Sequence, residues 1–140
     1  MSEQEVAPEN TLELGSISVS KEVVAIIAAL ETLKVKGVVG ISSGGKVLSL
    51  ETSSKKELPK SIEVWMKPEE TVITIPIVTD YEIGVLRVAQ EVQKRTEEAI
   101  KTMTGLKVLK IKVKVQGVKF KEEEGEEKGE EKEKGEKENE

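Results

Sequence analysis

Two stretches of this chain carry apolar residues at helical spacing, and each stops near a glycine that opens into a β-rich run. In the first, Val23, Ile26, Ile27, Leu30 and Leu33 recur every three or four residues. Lys21 to about Lys34 is therefore expected to form an amphipathic helix with these five residues on its core face. Ser20 suits the N-cap, because a serine hydroxyl accepts from a free amide of the first turn, and Gly37 is the expected stop. The second stretch sets Val85, Val88, Ala89, Val92, Thr96, Ala99, Ile100 and Met103 on one stripe, which predicts a helix from about Gly84 to Thr104. Gly105 closes it as a left-handed cap, with Leu106 placed to pack back on the last turn. Glu91 with Arg95, and Glu97 with Lys101, are spaced for exposed pairs one turn apart.

Around the helices the period changes to two. Ile17 and Val19 alternate with Ser16 and Ser18, and Val38, Val39 and Ile41 make a short apolar strand. Ser42 to Lys60 reads as a polar loop, with a brief strand near Val47 to Leu50. Ile62, Val64 and Met66 alternate with Glu63, Trp65 and Lys67, and Val72 to Thr79 follows across a Pro68-Glu69-Glu70 turn, so these two strands should form a hairpin. Pro76 has no N–H for a ladder hydrogen bond, which places it at an edge or a bulge. Val108 to Val115 is the last strand, with Ile111, Val113 and Val115 on one face. The order β-α-β-β-β-α-β predicts an α+β fold, a two-layer sandwich in which a mixed β-sheet carries both helices on one face. Its other face is polar.

A chain of 140 residues fits one domain. The expected divisions are a loose leader over 1–12, the α+β domain over 13–120 and a disordered Glu/Lys/Gly-rich tail over 121–140. The tail has no apolar residue, so ordering it would cost entropy with no burial to offset it. It also holds the acidity. Its 11 Glu outnumber its 5 Lys by six, whereas the first 120 residues carry 17 basic and 16 acidic side chains. The net charge of −5 therefore says little about what the folded part binds.

Cysteine and histidine are both absent. That removes disulfides, thiolate and imidazole metal ligands, cysteine nucleophiles and imidazole bases together. No cofactor and no catalytic residues are expected, and the chain reads as a non-enzyme. Met1 to Asn10 is polar and acidic, unlike a secretory signal. The longest apolar run, Val23 to Leu30, is far short of the ~20 residues that cross a bilayer. The expected location is cytoplasmic, at most peripheral to a membrane.

Three motifs invite chemical readings. Gly40, Gly45 and Lys46 approach a phosphate loop, but Val47 stands where a magnesium-holding Ser or Thr is needed. Gly37-Val38-Val39-Gly40 has the spacing of an RNA-clamping loop, yet it is apolar and leads into a strand. Asp80, Tyr81 and Glu82 precede the second helix, where acids favour the helix dipole, and no base or oxyanion donor accompanies them. A stronger signal is Lys110, Lys112 and Lys114, a stripe on the polar side of the last strand that is either a solvated guard against edge pairing or an interaction surface. Trp65, set between Glu63 and Lys67, either caps the core or anchors a partner. With three aromatic residues in all, a base-stacking platform is not expected.

A family pattern runs through these segments. Gly15, Ile17 and Val19, the run Gly37-Val38-Val39-Gly40, Tyr81 and Gly84, Val92-Gln93, Met103-Thr104-Gly105-Leu106-Lys107-Val108 and Val113 through Val115-Gln116-Gly117-Val118 resemble the alkaline shock protein 23 family. The resemblance spans roughly Leu14 to Phe120. Lys112 departs from it, standing where members often carry Asn. The resemblance implies a bacterial, non-enzymatic envelope-stress protein that oligomerises or works beneath the membrane through an anchored partner. The expected function is thus a scaffold or adaptor acting through protein–protein contacts, with Trp65, Lys110, Lys112 and Lys114 as partner-binding residues. The alternative is a small nucleic-acid-binding module using the three lysines.

Overall fold

The computed structural model describes residues 3–6, 14–51, 56–67 and 69–120. In chain order its elements are β1 (Glu3–Val6), β2 (Ile17–Ser20), α1 (Lys21–Leu33), β3 (Val38–Ser43), β4 (Lys46–Leu48), a 3₁₀ turn (Pro59–Ser61), β5 (Glu63–Lys67), β6 (Glu70–Asp80), α2 (Val85–Thr104) and β7 (Val108–Lys119). The expected α+β sandwich is present, with two helices packed on a mixed five-stranded sheet.

The longest strands form its axis. β6 and β7 run parallel from Thr71↔Val108 to Asp80↔Lys119, as β-strands joined by a helical crossover do. β7 therefore occupies one edge of β6 along nearly its whole length. The opposite edge is divided: β5 pairs antiparallel with Glu70 to Thr74, and β3 with Ile77 to Thr79. The expected β5–β6 hairpin thus forms. Its turn places Glu69 at φ 67°, and Pro68 lies outside the described residues.

This division corrects the reading of Pro76. Its strand is central, not an edge. Pairing along the divided side stops at Thr74 and resumes at Ile77. Pro76 falls in that gap, where a missing ladder donor costs least.

The first strand also differs from expectation. β2 does not join the main sheet but pairs with β1 in a separate two-stranded ribbon, from Glu3↔Ser20 to Val6↔Ile17. β1 lies within the stretch read as a loose leader. The tail over 121–140 lies outside the described residues.

The core is aliphatic. Ile73, Ile75 and Ile77 of β6 meet Ile41 of β3, Val24 of α1, and Val88, Val92 and Ile100 of α2, all essentially inaccessible. Each such side chain contributes roughly 1.5–3 kcal/mol on burial. The α2 stripe is buried along Val88, Val92, Thr96 and Ile100, as its spacing predicts. Met103 is 65% exposed; Leu106, carried inward by the left-handed Gly105 (φ 78°), closes the stripe in its place.

On α1 the face is different. Ser20 caps it as expected, accepting from the Val23 N–H at 3.3 Å. Its buried residues, however, are Val24, Ala25, Ala28, Ala29 and Thr32, while Val23 and Ile26 remain 43% and 37% exposed. Two adjacent rows of this helix are apolar, and the row with short side chains lets α1 approach α2 and β3 closely. Size, not periodicity, selects the face.

The helices are also joined by charge. Arg95 does not pair with Glu91 along its own helix. Its Nε lies 3.1 Å from Glu31 of α1, which also takes Lys34 Nζ at 3.0 Å. Burial opposes ionisation of Glu31, but the hydrogen bonds and charges of Lys34 and Arg95 outweigh it and hold its carboxyl below the usual glutamate value of 4.5. A depressed folded pKa contributes stability above the unfolded value and loses it as pH falls through the folded one. Glu31→Gln is therefore expected to cost up to about 1 kcal/mol at pH 7. In urea titrations, that difference should narrow as the pH drops below the ordinary glutamate range.

Four threonine hydroxyls, those of Thr32, Thr71, Thr79 and Thr96, are fully buried with no hydrogen-bond partner among the described residues. An unpaired buried hydroxyl carries a desolvation cost, and valine has nearly the same shape without it. Thr96→Val is expected to stabilise the domain by about 1 kcal/mol in urea unfolding, the reverse of the usual sign for a core substitution.

Candidate partner-binding face

Alternation along three strands builds the side of the sheet away from the helices. In β6, Thr71, Ile73, Ile75 and Ile77 are buried, and the intervening Val72, Thr74 and Pro76 are half-buried on the open face. Register then assembles rows across the sheet. Val72 lies between Trp65 of β5 and Lys110 of β7, and Thr74 between Glu63 and Lys112. Pro76 faces Lys114, and Glu70 faces Lys67. All four predicted partner-binding residues thus share one face, with Trp65 one strand removed from the lysine column.

Trp65 is 46% exposed, so it does not seal the core. Lys67 Nζ stands 5.0 Å from the centre of its ring, a cation–π contact that steadies the indole. Successive column lysines are about 7 Å apart, two residues of strand. None of the three forms an ion pair among the described residues. The face carries Lys67, Lys110, Lys112 and Lys114 against Glu63 and Glu70. An open groove of about 890 Å³ begins at Trp65, Val72 and Lys112 and reaches Lys21 and Ala25 at the start of α1. Sequence reasoning missed this extension and the Lys67 contact, because both depend on how the elements are brought together. The available interactions are charge attraction from the lysines and apolar contact with an indole.

The other candidate motifs serve the fold. Gly44 and Gly45, at φ 54° and 87°, turn the β3–β4 hairpin between Ser43 and Lys46. Two positive φ angles are the requirement of a type I′ turn, and no helix follows as a phosphate loop needs. The Gly37 carbonyl accepts from the Asp80 N–H at 2.7 Å, and Val38 to Gly40 lie in β3, so this segment is no loop between helices. Asp80 Oδ1 accepts from the Glu82 N–H at 2.9 Å, forming a turn, and Tyr81 stacks on Phe120 with ring centres 4.7 Å apart.

The most specific family segments prove to be structural devices as well. Thr104 Oγ1 donates to the Ile100 carbonyl at 2.6 Å and accepts from the Leu106 N–H at 3.1 Å, locking the C-terminus of α2. Gln93 Nε2 donates to the Ile111 carbonyl at 3.0 Å and ties α2 to β7. Val115-Gln116-Gly117 is a bulge, since Ile77 pairs with Val115 but Val78 with Gly117. No helix among the described residues is long and apolar enough to cross a membrane.

A model of the alkaline shock protein 23 family, described as having a cell envelope-related function, matches residues 9–120. The uncharacterized protein YloU of Bacillus subtilis is 27% identical over 107 residues, which covers 75% of this chain and 89% of that protein. A stress response regulator gls24 homolog of Streptococcus pyogenes is 25% identical over 111 residues, or 78% of this chain. The matched region spans 62% of that longer relative. Among solved structures, a MamM CTD variant covers 69% of this chain and 94% of its own at 14% identity, with a TM-score of 0.43.

Proposed function

From the premise that this chain belongs to the alkaline shock protein 23 family, whose function is cell envelope-related, we propose that it is a non-enzymatic scaffold or adaptor of the envelope-stress type. It acts through protein–protein contacts at the open sheet face, binding further copies of itself or a membrane-anchored partner. The observation that carries this reading is the row in which Trp65, Val72 and Lys110 lie side by side across β5, β6 and β7. A half-exposed indole ringed by cations is a common anchor in protein interfaces. The kinship with a stress response regulator homolog supports the envelope-stress setting.

The test is Trp65→Ala. Self-association or partner capture should weaken, while the circular dichroism melt stays close to wild type because the indole lies outside the core. Sedimentation velocity reads both proteins. Strictly monomeric profiles for both, with no partner captured by either, would sink the proposal. If the lysines served nucleic acid instead, a titration against RNA or DNA should show binding that falls steeply with added salt.

A further inference from the structure

We infer that the chain's own acidic segment, residues 121–140, docks onto the Lys110–Lys112–Lys114 face and Trp65, occupying the surface until a partner displaces it. Charge gives the first reason. The segment holds 11 Glu against 5 Lys, and its densest acidic runs, Glu122 to Glu124, Glu126-Glu127 and Glu130-Glu131, come early. The open face is the domain's clearest surface of the opposite sign. The outward side of α2, by contrast, mixes Arg87 and Lys94 with Glu91, Glu97 and Glu98.

Tethering gives the second reason. The chain leaves the fold at a fixed place: the Tyr81 N–H donates to the Lys119 carbonyl at 2.9 Å, and the Tyr81 ring packs on Phe120. That exit is at the end of the strand bearing the lysine column. From Lys119 back to Lys110 is nine residues of strand, about 30 Å. As a coil, 20 residues have a root-mean-square span of about 25 Å and a fully extended reach near 70 Å, so the acidic runs can cover the whole column. Gly125 and Gly129 permit bends between those runs. Each carboxylate–ammonium contact is weak when solvated, but the tether raises the local concentration of carboxylate to the order of millimolar. Such binding depends on salt, since the screening length shortens from about 30 Å at 0.01 M to about 3 Å at 1 M.

The absence of native cysteine allows a clean test on the full chain. Gly129→Cys introduces one thiol for a nitroxide label, and amide and indole NMR intensities report its proximity. At low salt, the Lys110, Lys112 and Lys114 amides and the Trp65 indole should lose about half their intensity or more, and recover near 1 M salt. Reversal of the column (K110E/K112E/K114E) should abolish the loss, and the milder Lys→Gln set should reduce it, with α2 shifts unchanged in both. Broadening confined to the end of β7, or unaffected by salt and by both sets, overturns the inference. So does broadening seen only when labelled chains are mixed with separate isotope-enriched chains, which would make the occupant a second copy's tail. No external partner enters this experiment, so its failure leaves the scaffold reading standing, and failure of that reading leaves this result intact.

Discussion

Substituting Gly40 with alanine should cost about 3 kcal/mol or more, a large share of the roughly 5–15 kcal/mol that holds a typical domain folded. Gly40 is buried in β3, and a Cβ there would stand 2.5 Å from Val47 Cγ1 and 2.6 Å from the Leu48 carbonyl oxygen. The valine could rotate away. The carbonyl could not, because β4 is held in register by Ile41↔Leu48 and Ser42↔Val47. Relief would require the hairpin to leave β6, uncovering Ile41 and Leu48 from the core. Gly117 is the matched control: a Cβ there meets the Val78 methyls at an ordinary 3.6 Å. Gly117→Ala should stay within about 0.5 kcal/mol of wild type. Urea unfolding of the two variants checks the contrast, and equal losses would contradict the packing described.

Reversing the three column lysines together (K110E/K112E/K114E) should lower affinity for a captured partner at least about tenfold, the equivalent of about 1.4 kcal/mol. The side chains are exposed and unpaired among the described residues, so the fold has little reason to respond. The change converts a cationic column beside Trp65 into an anionic one and makes an acidic partner repulsive. Much of the loss should appear as slower association that varies with salt, as expected of charges at an interface rim. A thermal melt near that of wild type would separate this effect from unfolding.

The parts of this fold legible in the sequence are those fixed by neighbours along the chain. The α2 stripe, the Thr104-Gly105-Leu106 cap, the Ser20 cap and the β5–β6 hairpin each follow from residues within one or two turns of one another. The α1 face was not legible, because Val23 and Ile26 satisfy the helical period as well as Val24 and Ala28 do. Only the packing partner selects the row with short side chains. Pro76 was misplaced for a related reason, since a gap between two strands sharing one edge cannot be seen from β6 alone. Arg95 finds Glu31 across the helix pair, a contact that spacing within α2 cannot show. For the candidate face, alternation put Trp65 and the lysines on the polar side, but their adjacency comes from the parallel β6–β7 register. Alternation does not set that register.

If the open sheet face is where this chain meets its partner, altering its charge must change what the chain captures. Affinity capture from the native cell, with full-length wild type and the K110E/K112E/K114E variant as parallel baits, tests this most directly. A specific protein, either a second copy or a membrane-anchored one, should be recovered with wild type and lost with the variant. Equal recovery of the same protein by both baits would contradict a partner site on this face.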